Sequence, residues 1–238
     1  MEETKTESKS SFAVPVAIVL AGALIAGAVY LQGPTNANPS AAVNQFAEKK
    51  DAVVKPIGPD DHILGSPNAD LIVVEYSDTE CPFCKNFHGV MQQIISEYGK
   101  DGRVAWVYRH MPLEQLHQKA MKEAEATECA AEIGGKAKFW DYINALFEKT
   151  TSNDGLDLAE LPIIAKQVGL DVTAFNNCLN SGKHEAKLKQ AVKEAVEAGA
   201  EGTPYSVILT KNGETYPIPG FVPYTEFKSV IEGLLKGK

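Results

Sequence analysis

Residues 61–238 alternate between two hydrophobic periodicities. Ile63 to Tyr76 supplies strand material, broken by the turn Gly65-Ser66-Pro67-Asn68, and Leu71 to Val74 is a continuous apolar run. Such a run suits a central parallel strand, buried on both faces under helices. Beyond it, Phe83, Phe87, Val90, Met91, Ile94, Ile95 and Tyr98 fall on one helical stripe, which predicts a helix packed on the core and ending at Gly99 to Gly102. Val104 to Arg109 reads as the next strand, and a strand, helix, strand order of this length makes a right-handed crossover.

From Leu113 to Gly199 only helical patterning is seen, punctuated at Gly134-Gly135, Ser152 to Gly155, Gly169 and Ser181-Gly182, with one strongly apolar helix from Phe139 to Phe147. Strands return at Tyr205 to Leu209 and Glu214 to Ile218 around the hairpin signal Lys211-Asn212-Gly213, and a helix is predicted from Tyr224 to Leu235.

The beginning of the chain is of another kind. Phe12 to Leu31 carries no charge, and a helix of that length at about 1.5 Å per residue is about 30 Å long, the thickness of a bilayer's hydrocarbon. Residues 1–11 hold two lysines among three glutamates, a weak leader, and the small residues Ala26-Gly27-Ala28 lie inside the apolar run rather than after it. The reading is an N-terminal tail (1–11), an uncleaved transmembrane anchor (12–31) with a cleaved signal sequence as its alternative, and a tether (32–60) rich in Gly, Pro and Asn, with one helical turn around Val43 to Ala47. The composition, 44% hydrophobic and 23% charged, is that of a globular protein, and a net charge of -8 with no basic stripe argues against nucleic acid as a partner.

Chemistry concentrates in Cys81-Pro82-Phe83-Cys84, where the first strand gives way to the first helix. The nucleophile of thiol-disulfide exchange is a thiolate, and a helix N-terminus lowers a thiol's pKa. Pro82 suits a first helical turn, Phe83 adds an apolar face, and Lys85 is the nearest cation, with a solvated lysine as the plain alternative. Zinc sites also use C-x-x-C, normally with a second ligand pair; here Cys129 and Cys178 stand alone and far apart. His88 permits a Cys-Cys-His metal set, although a helix-surface histidine is the commoner case, and a c-type haem would need histidine where Lys85 stands.

The segments Asp61-His62-Ile63-Leu64-Gly65, Glu75 to Cys84 and Tyr108-Arg109-His110-Met111-Pro112-Leu113 together resemble the DsbA-like branch of the thioredoxin superfamily, and the likeness extends over roughly Val54 to Lys238. The resemblance implies an α/β thioredoxin-like fold (61–113 and 200–238) interrupted by a large all-helical insertion (114–199). It implies that Cys81 and Cys84 form a redox disulfide, with Cys81 as the exposed member that makes the mixed disulfide. It places a cis-proline at Pro204, with an ordinary trans proline at a strand start as the alternative, that turns the Thr203 backbone toward Cys81, where, with Pro82 and Phe83, it would bind an extended substrate strand. It also places a buried acid at Glu75 that would accept or relay a proton for Cys84, the alternative being an acid at the strand's open end bonded to a backbone donor. An even cysteine count in an oxidising compartment favours a structural Cys129–Cys178 bridge, two buried free thiols being the alternative.

The function expected is disulfide donation to unfolded, cysteine-containing secreted or periplasmic proteins by a monomer without cofactor or metal. The chain would be held at the membrane by lipid contact of its N-terminal helix, with the catalytic domain on the extracytoplasmic side, and reoxidised by a quinone-linked membrane thiol oxidase. A reductase of the same fold stays open, with an isomerase, a thiol-based metal carrier and a non-catalytic peptide-binding module behind it.

Overall fold

Five strands form one mixed sheet in the order β1-β3-β2-β4-β5, in a computed structural model that describes residues 48–237. The strands are β1 (His62–Leu64), β2 (Leu71–Ser77), β3 (Val104–His110), β4 (Tyr205–Thr210) and β5 (Thr215–Pro219). The helices are α1 (Pro82–Tyr98), α2 (Ala120–Lys149), α3 (Leu161–Gln167), α4 (Val172–Ser181), α5 (Glu185–Glu197) and α6 (Tyr224–Lys236). The anchor segment 12–31 and the turn expected around 43–47 lie outside the described residues; within these no helix is long and apolar enough to cross a membrane.

β2 is central, as its apolar run requires, but it is parallel only to β3 and runs antiparallel to β4. Its two faces feed two cores. Leu71 and Val73 join Trp106, Tyr108, Phe87, Met91 and Ile94 beneath α1 and α6, while Val74 and Tyr76 join Val107, Val207 and the alanines at the end of α5 on the other side. Glu75 and Ser77 therefore point to the α1 face, because strand side chains alternate. α1 buries Cys84, Phe87, His88, Met91, Ile94 and Tyr98, the spacing of one helical face. Each fully buried large apolar side chain contributes about 1.5–3 kcal/mol, so this helix is anchored far beyond what its own propensity supplies. Phe83 leaves the predicted stripe: it is 58% exposed, although Cys84 beside it in the same first turn is buried.

The insertion has a third core, built on Tyr142, Leu146, Leu161, Ile164 and Phe175. α2 bends at Gly135, whose φ of 78° is in the region that glycine enters without steric cost, so the Gly134-Gly135 punctuation is a kink within one long element. Cys129 on α2 and Cys178 on α4 form a disulfide with an S–S distance of 2.00 Å.

The last part of the expected tether is docked. Lys50 N–H donates to the Thr215 carbonyl (3.1 Å), the Thr215 hydroxyl donates to the Lys50 carbonyl (2.5 Å), and Ala52, Val54 and Ile57 pack on the second core. Arg109 fixes the entry to β1 by bonding the Lys55 carbonyl at 3.0 Å and both oxygens of Asp61 at 2.8 and 3.1 Å.

The bridge spans 49 residues, for which the chain-entropy model gives about 4 kcal/mol. Replacing both Cys129 and Cys178 by alanine is expected to lower the unfolding free energy by up to about that amount in urea titrations; an unchanged midpoint would show that the bridge adds no stability.

Candidate active site

Cys81 is the N-cap of α1 and Pro82 its first residue, so the first turn of the helix presents its free backbone N–H groups to the Cys81 sulfur. Both cysteines are free thiols. The Cys84 thiol contributes most to holding the Cys81 thiol down at about 6; burial opposes this, and the N–H groups of Cys84 and Phe83 and the Thr203 hydroxyl support it. Cys84, fully buried, is pushed well up by burial and by the negative charge of Cys81 and Glu75. One helical turn thus separates an easily ionised sulfur from one that resists ionisation.

The expectation of an exposed Cys81 is corrected: only 5% of its surface is accessible. The Thr203–Pro204 peptide bond is cis, the Cys81 thiol donates to the Thr203 carbonyl at 3.4 Å, and the Thr203 hydroxyl is buried with no other hydrogen-bond partner. Pro82 is half-buried beside the exposed ring of Phe83. The Cys81 sulfur is thus covered on the side of Thr203 and the cis-proline.

Glu75 is wholly buried on the α1 face of β2, and burial pushes its pKa up to about 7 even though Trp106 Nε1–H donates to its Oε2 at 2.9 Å. Its other oxygen is unpartnered, as are the hydroxyls of Ser77, Tyr108 and Ser206. Tyr108 and Ser206 flank Glu75 in register on the neighbouring strands, which places these groups together on the α1 face.

Two further expectations change. Lys85 neither assists Cys81 nor lies free in solvent: its ammonium donates to the Thr150 carbonyl at 2.5 Å, tying α1 to the end of α2. His88 is not a surface residue. It is buried, 2.7 Å from Asn144 Oδ1, with burial pushing its pKa down to about 4, so its ring serves the packing of α1 on α2.

Sequence reasoning gave no role to the acids of the loop before Cys81. Asp78 organises that loop. Its carbonyl accepts from Cys81 N–H (3.2 Å) and its N–H donates to Cys84 Sγ (3.4 Å). Its carboxylate accepts from Glu80 N–H (2.8 Å), Leu113 N–H (2.8 Å) and His117 Nδ1 (2.9 Å). Glu80 is buried too, bonded by the Thr150 hydroxyl (3.4 Å) and Gly155 N–H (3.3 Å). Burial, then the neighbouring Glu80, pushes Glu123 of α2 up to about 9. Two acids within three residues of a buried loop are the available sequence signal, because unpaired buried carboxylates are costly.

Among the described residues two groups bring metal-ligating side chains within 4.8 Å of one another. In Cys129, Cys178 and His184 the sulfurs are spent on each other. In His62, His110 and Glu128 both rings contact Glu128 Oε1, at 2.9 and 3.4 Å, while the Lys187 ammonium takes Oε2 at 2.6 Å. This cluster is an ion-paired joint between β1, β3, α2 and α5.

Residues 58–231 match the family model described as Thioredoxin. DsbA2 of Pseudomonas aeruginosa is 28% identical with a TM-score of 0.62, over 76% of this chain and 98% of that one. BdbD of Bacillus subtilis, in its oxidised form, shares the fold at a TM-score of 0.67 with 24% identity, over 79% and 100% of the two chains. Among curated proteins, Na(+)/H(+) antiporter NhaA 1 of Mycolicibacterium gilvum is 33% identical over 169 residues, 70% of this chain and 26% of that protein. NhaA 3 of Salinispora tropica is 34% identical over 150 residues, 63% and 22% of the two. The chain thus spans about a quarter of the length of these curated relatives, and the transport in their names is said of them alone.

The raised Glu75 makes a prediction with a definite sign. Between about pH 4.5, where the unfolded chain releases this proton, and about pH 7, where the fold does, stability falls as pH rises; above that the penalty is constant. Glu75→Gln should therefore unfold like the parent at pH 4 and be more stable at pH 8, by up to about 3 kcal/mol. Equal gains at both pH values would place the Glu75 pKa in its ordinary range.

Proposed function

Since this chain belongs to the thioredoxin family and is a DsbA-like thiol-disulfide oxidoreductase, we propose that it works as a donor, passing the Cys81–Cys84 disulfide to cysteine-containing proteins that fold outside the cytoplasm. The observation that supports this direction is the asymmetry of the pair: the Cys81 thiol is held down at about 6, the Cys84 thiol far above its ordinary value. A donor is oxidising when its reduced form is stabilised, and an ionised Cys81 at neutral pH stabilises it.

In the forward reaction a substrate thiolate attacks Cys81 Sγ, the Cys81–Cys84 bond breaks, and its electron pair leaves on Cys84. That buried sulfur needs a proton, and Glu75, poised at about 7 and close enough for its charge to raise Cys84, is the group to supply it. A second substrate thiolate then attacks the substrate sulfur of the mixed disulfide and Cys81 leaves as the thiolate. The substrate has lost two electrons and the enzyme holds a dithiol. The Thr203 backbone, turned toward Cys81 by the cis bond to Pro204, would pair with the extended substrate backbone, as in strand addition, while Pro82 and Phe83 contact its side chains.

The setting belongs to the same reading. Segment 12–31 would hold the enzyme in the cell membrane as a single pass, in contact with lipid, with the catalytic domain on the oxidising, extracytoplasmic side; the Cys129–Cys178 bridge suits that compartment. A quinone-linked membrane thiol oxidase would restore the disulfide, and the enzyme would act as a monomer.

Cys81→Ser should abolish exchange with a dithiol peptide, whereas Cys84→Ser should accumulate substrates as mixed disulfides on Cys81, visible as adducts on non-reducing gels. Equilibration of the native chain with glutathione should give a strongly oxidising potential; a thioredoxin-like value would favour the reductase, and a lack of trapped adducts on Cys84→Ser would overturn the division of roles between Cys81 and Cys84.

A further inference from the structure

His117 lies in the loop between β3 and α2, 8% exposed, with Nδ1 bonded to the buried carboxylate of Asp78. The same Asp78 grips both cysteines, bonding the Cys81 N–H through its carbonyl and the Cys84 sulfur through its N–H. The ring is therefore fixed by a residue that is itself fixed to the dithiol. The two lysines nearest in sequence are committed elsewhere: Lys85 to the Thr150 carbonyl, Lys119 to the carbonyls of Asp154 and Leu156. Cys81-Pro82-Phe83-Cys84 supplies no cation of its own. Asp78 bonds the ring, Asp154 accepts from the N–H groups of the adjoining Gln118 and Lys119, and Glu80 N–H bonds the other oxygen of Asp78, so the charges that act on the ring are those of Asp78, Cys81 and Asp154.

Resting on the donor reading, we propose that His117 is a positioning residue whose protonated imidazole, oriented by Asp78, stabilises the Cys81 thiolate, so that the charge of the ring and the redox state of the dithiol are linked. Nδ1–H points at Asp78, which leaves Nε2 as the nitrogen that takes up and releases the proton. Burial disfavours the charged ring, but Asp78, then Cys81 and Asp154, outweigh it and keep the ring's pKa above the ordinary value. The coupling is reciprocal: whatever the ring adds to thiolate stability, the thiolate adds to the ring's affinity for its proton. Oxidation to the disulfide removes the negative charge on Cys81, so the ring loses that stabilisation and releases its proton at a lower pH.

The test uses the full chain in detergent micelles. In His117→Gln, which keeps a hydrogen-bond donor for Asp78 but no charge, the Cys81 thiolate absorbance of the reduced protein should titrate about half to one pH unit higher, and the equilibrium with glutathione at pH 7 should move about three- to tenfold toward the disulfide. An unchanged thiolate midpoint and equilibrium would overturn the proposal. Should that variant fail to fold, the native chain decides: the His117 ring, followed by NMR, should titrate at higher pH in the reduced than in the disulfide form, and identical midpoints would overturn the coupling. Failure of the native chain to oxidise a dithiol peptide would sink the donor reading instead, while the two ring titrations would still report on the link between His117 and Cys81.

Discussion

A single negative charge has to be welcome on one sulfur and unwelcome on another three residues away, and the fold is arranged around that requirement. The Cys84 thiol and the helix start meet the first half, the one by its hydrogen bond and the other because its free N–H groups converge on the residue before the helix. Burial meets the second, because one turn further on the side chain already faces the sheet: Cys84 is wholly inaccessible, under strand positions that carry Glu75 and Ser77. Moving the cysteines one residue along α1 would reverse neither effect but would misplace both. The helix must begin where β2 ends, and it must pack on the sheet from its first turn.

Much of this was legible. The uninterrupted apolar run of β2 announced a central strand, the stripe from Phe87 to Tyr98 announced a packed helix, and the turn at Lys211 to Gly213 announced the final hairpin. These features follow from side-chain periodicity, which a linear sequence displays directly. Pairing with Cys178 across the insertion and the placement of Thr203-Pro204 beside Cys81 needed more than periodicity: the first used cysteine count and compartment, the second a family resemblance.

What the sequence hid depends on contacts between distant residues. Asp78 looks like an ordinary turn former, and only the assembled loop shows its carboxylate receiving Leu113 N–H and His117 from beyond β3. Lys85 and His88 were judged by their distance from the cysteines along the chain, yet both turn toward α2, to Thr150 and Asn144. Phe83 has the right spacing for the core but sits in the turn that overhangs it. The concentration of buried acids around the redox loop has an energetic reading as well. Glu75 and Glu123 give up hydration for which the fold returns few bonds, and such cost is commonly found at functional sites.

The bent helix α2 has a consequence for how this architecture can be altered. Phe139, Trp140 and Ile143 on it belong to the core beneath α1, whereas Tyr142 and Leu146, on the same turns, belong to the core of the helical insertion. One rod therefore serves as a party wall between two rooms. The helical segment cannot be cut out as a cassette and replaced by a short loop without unroofing the chamber that holds the redox sulfurs, so inserts or tags are better carried on the outward turns of α3 to α5 than across α2.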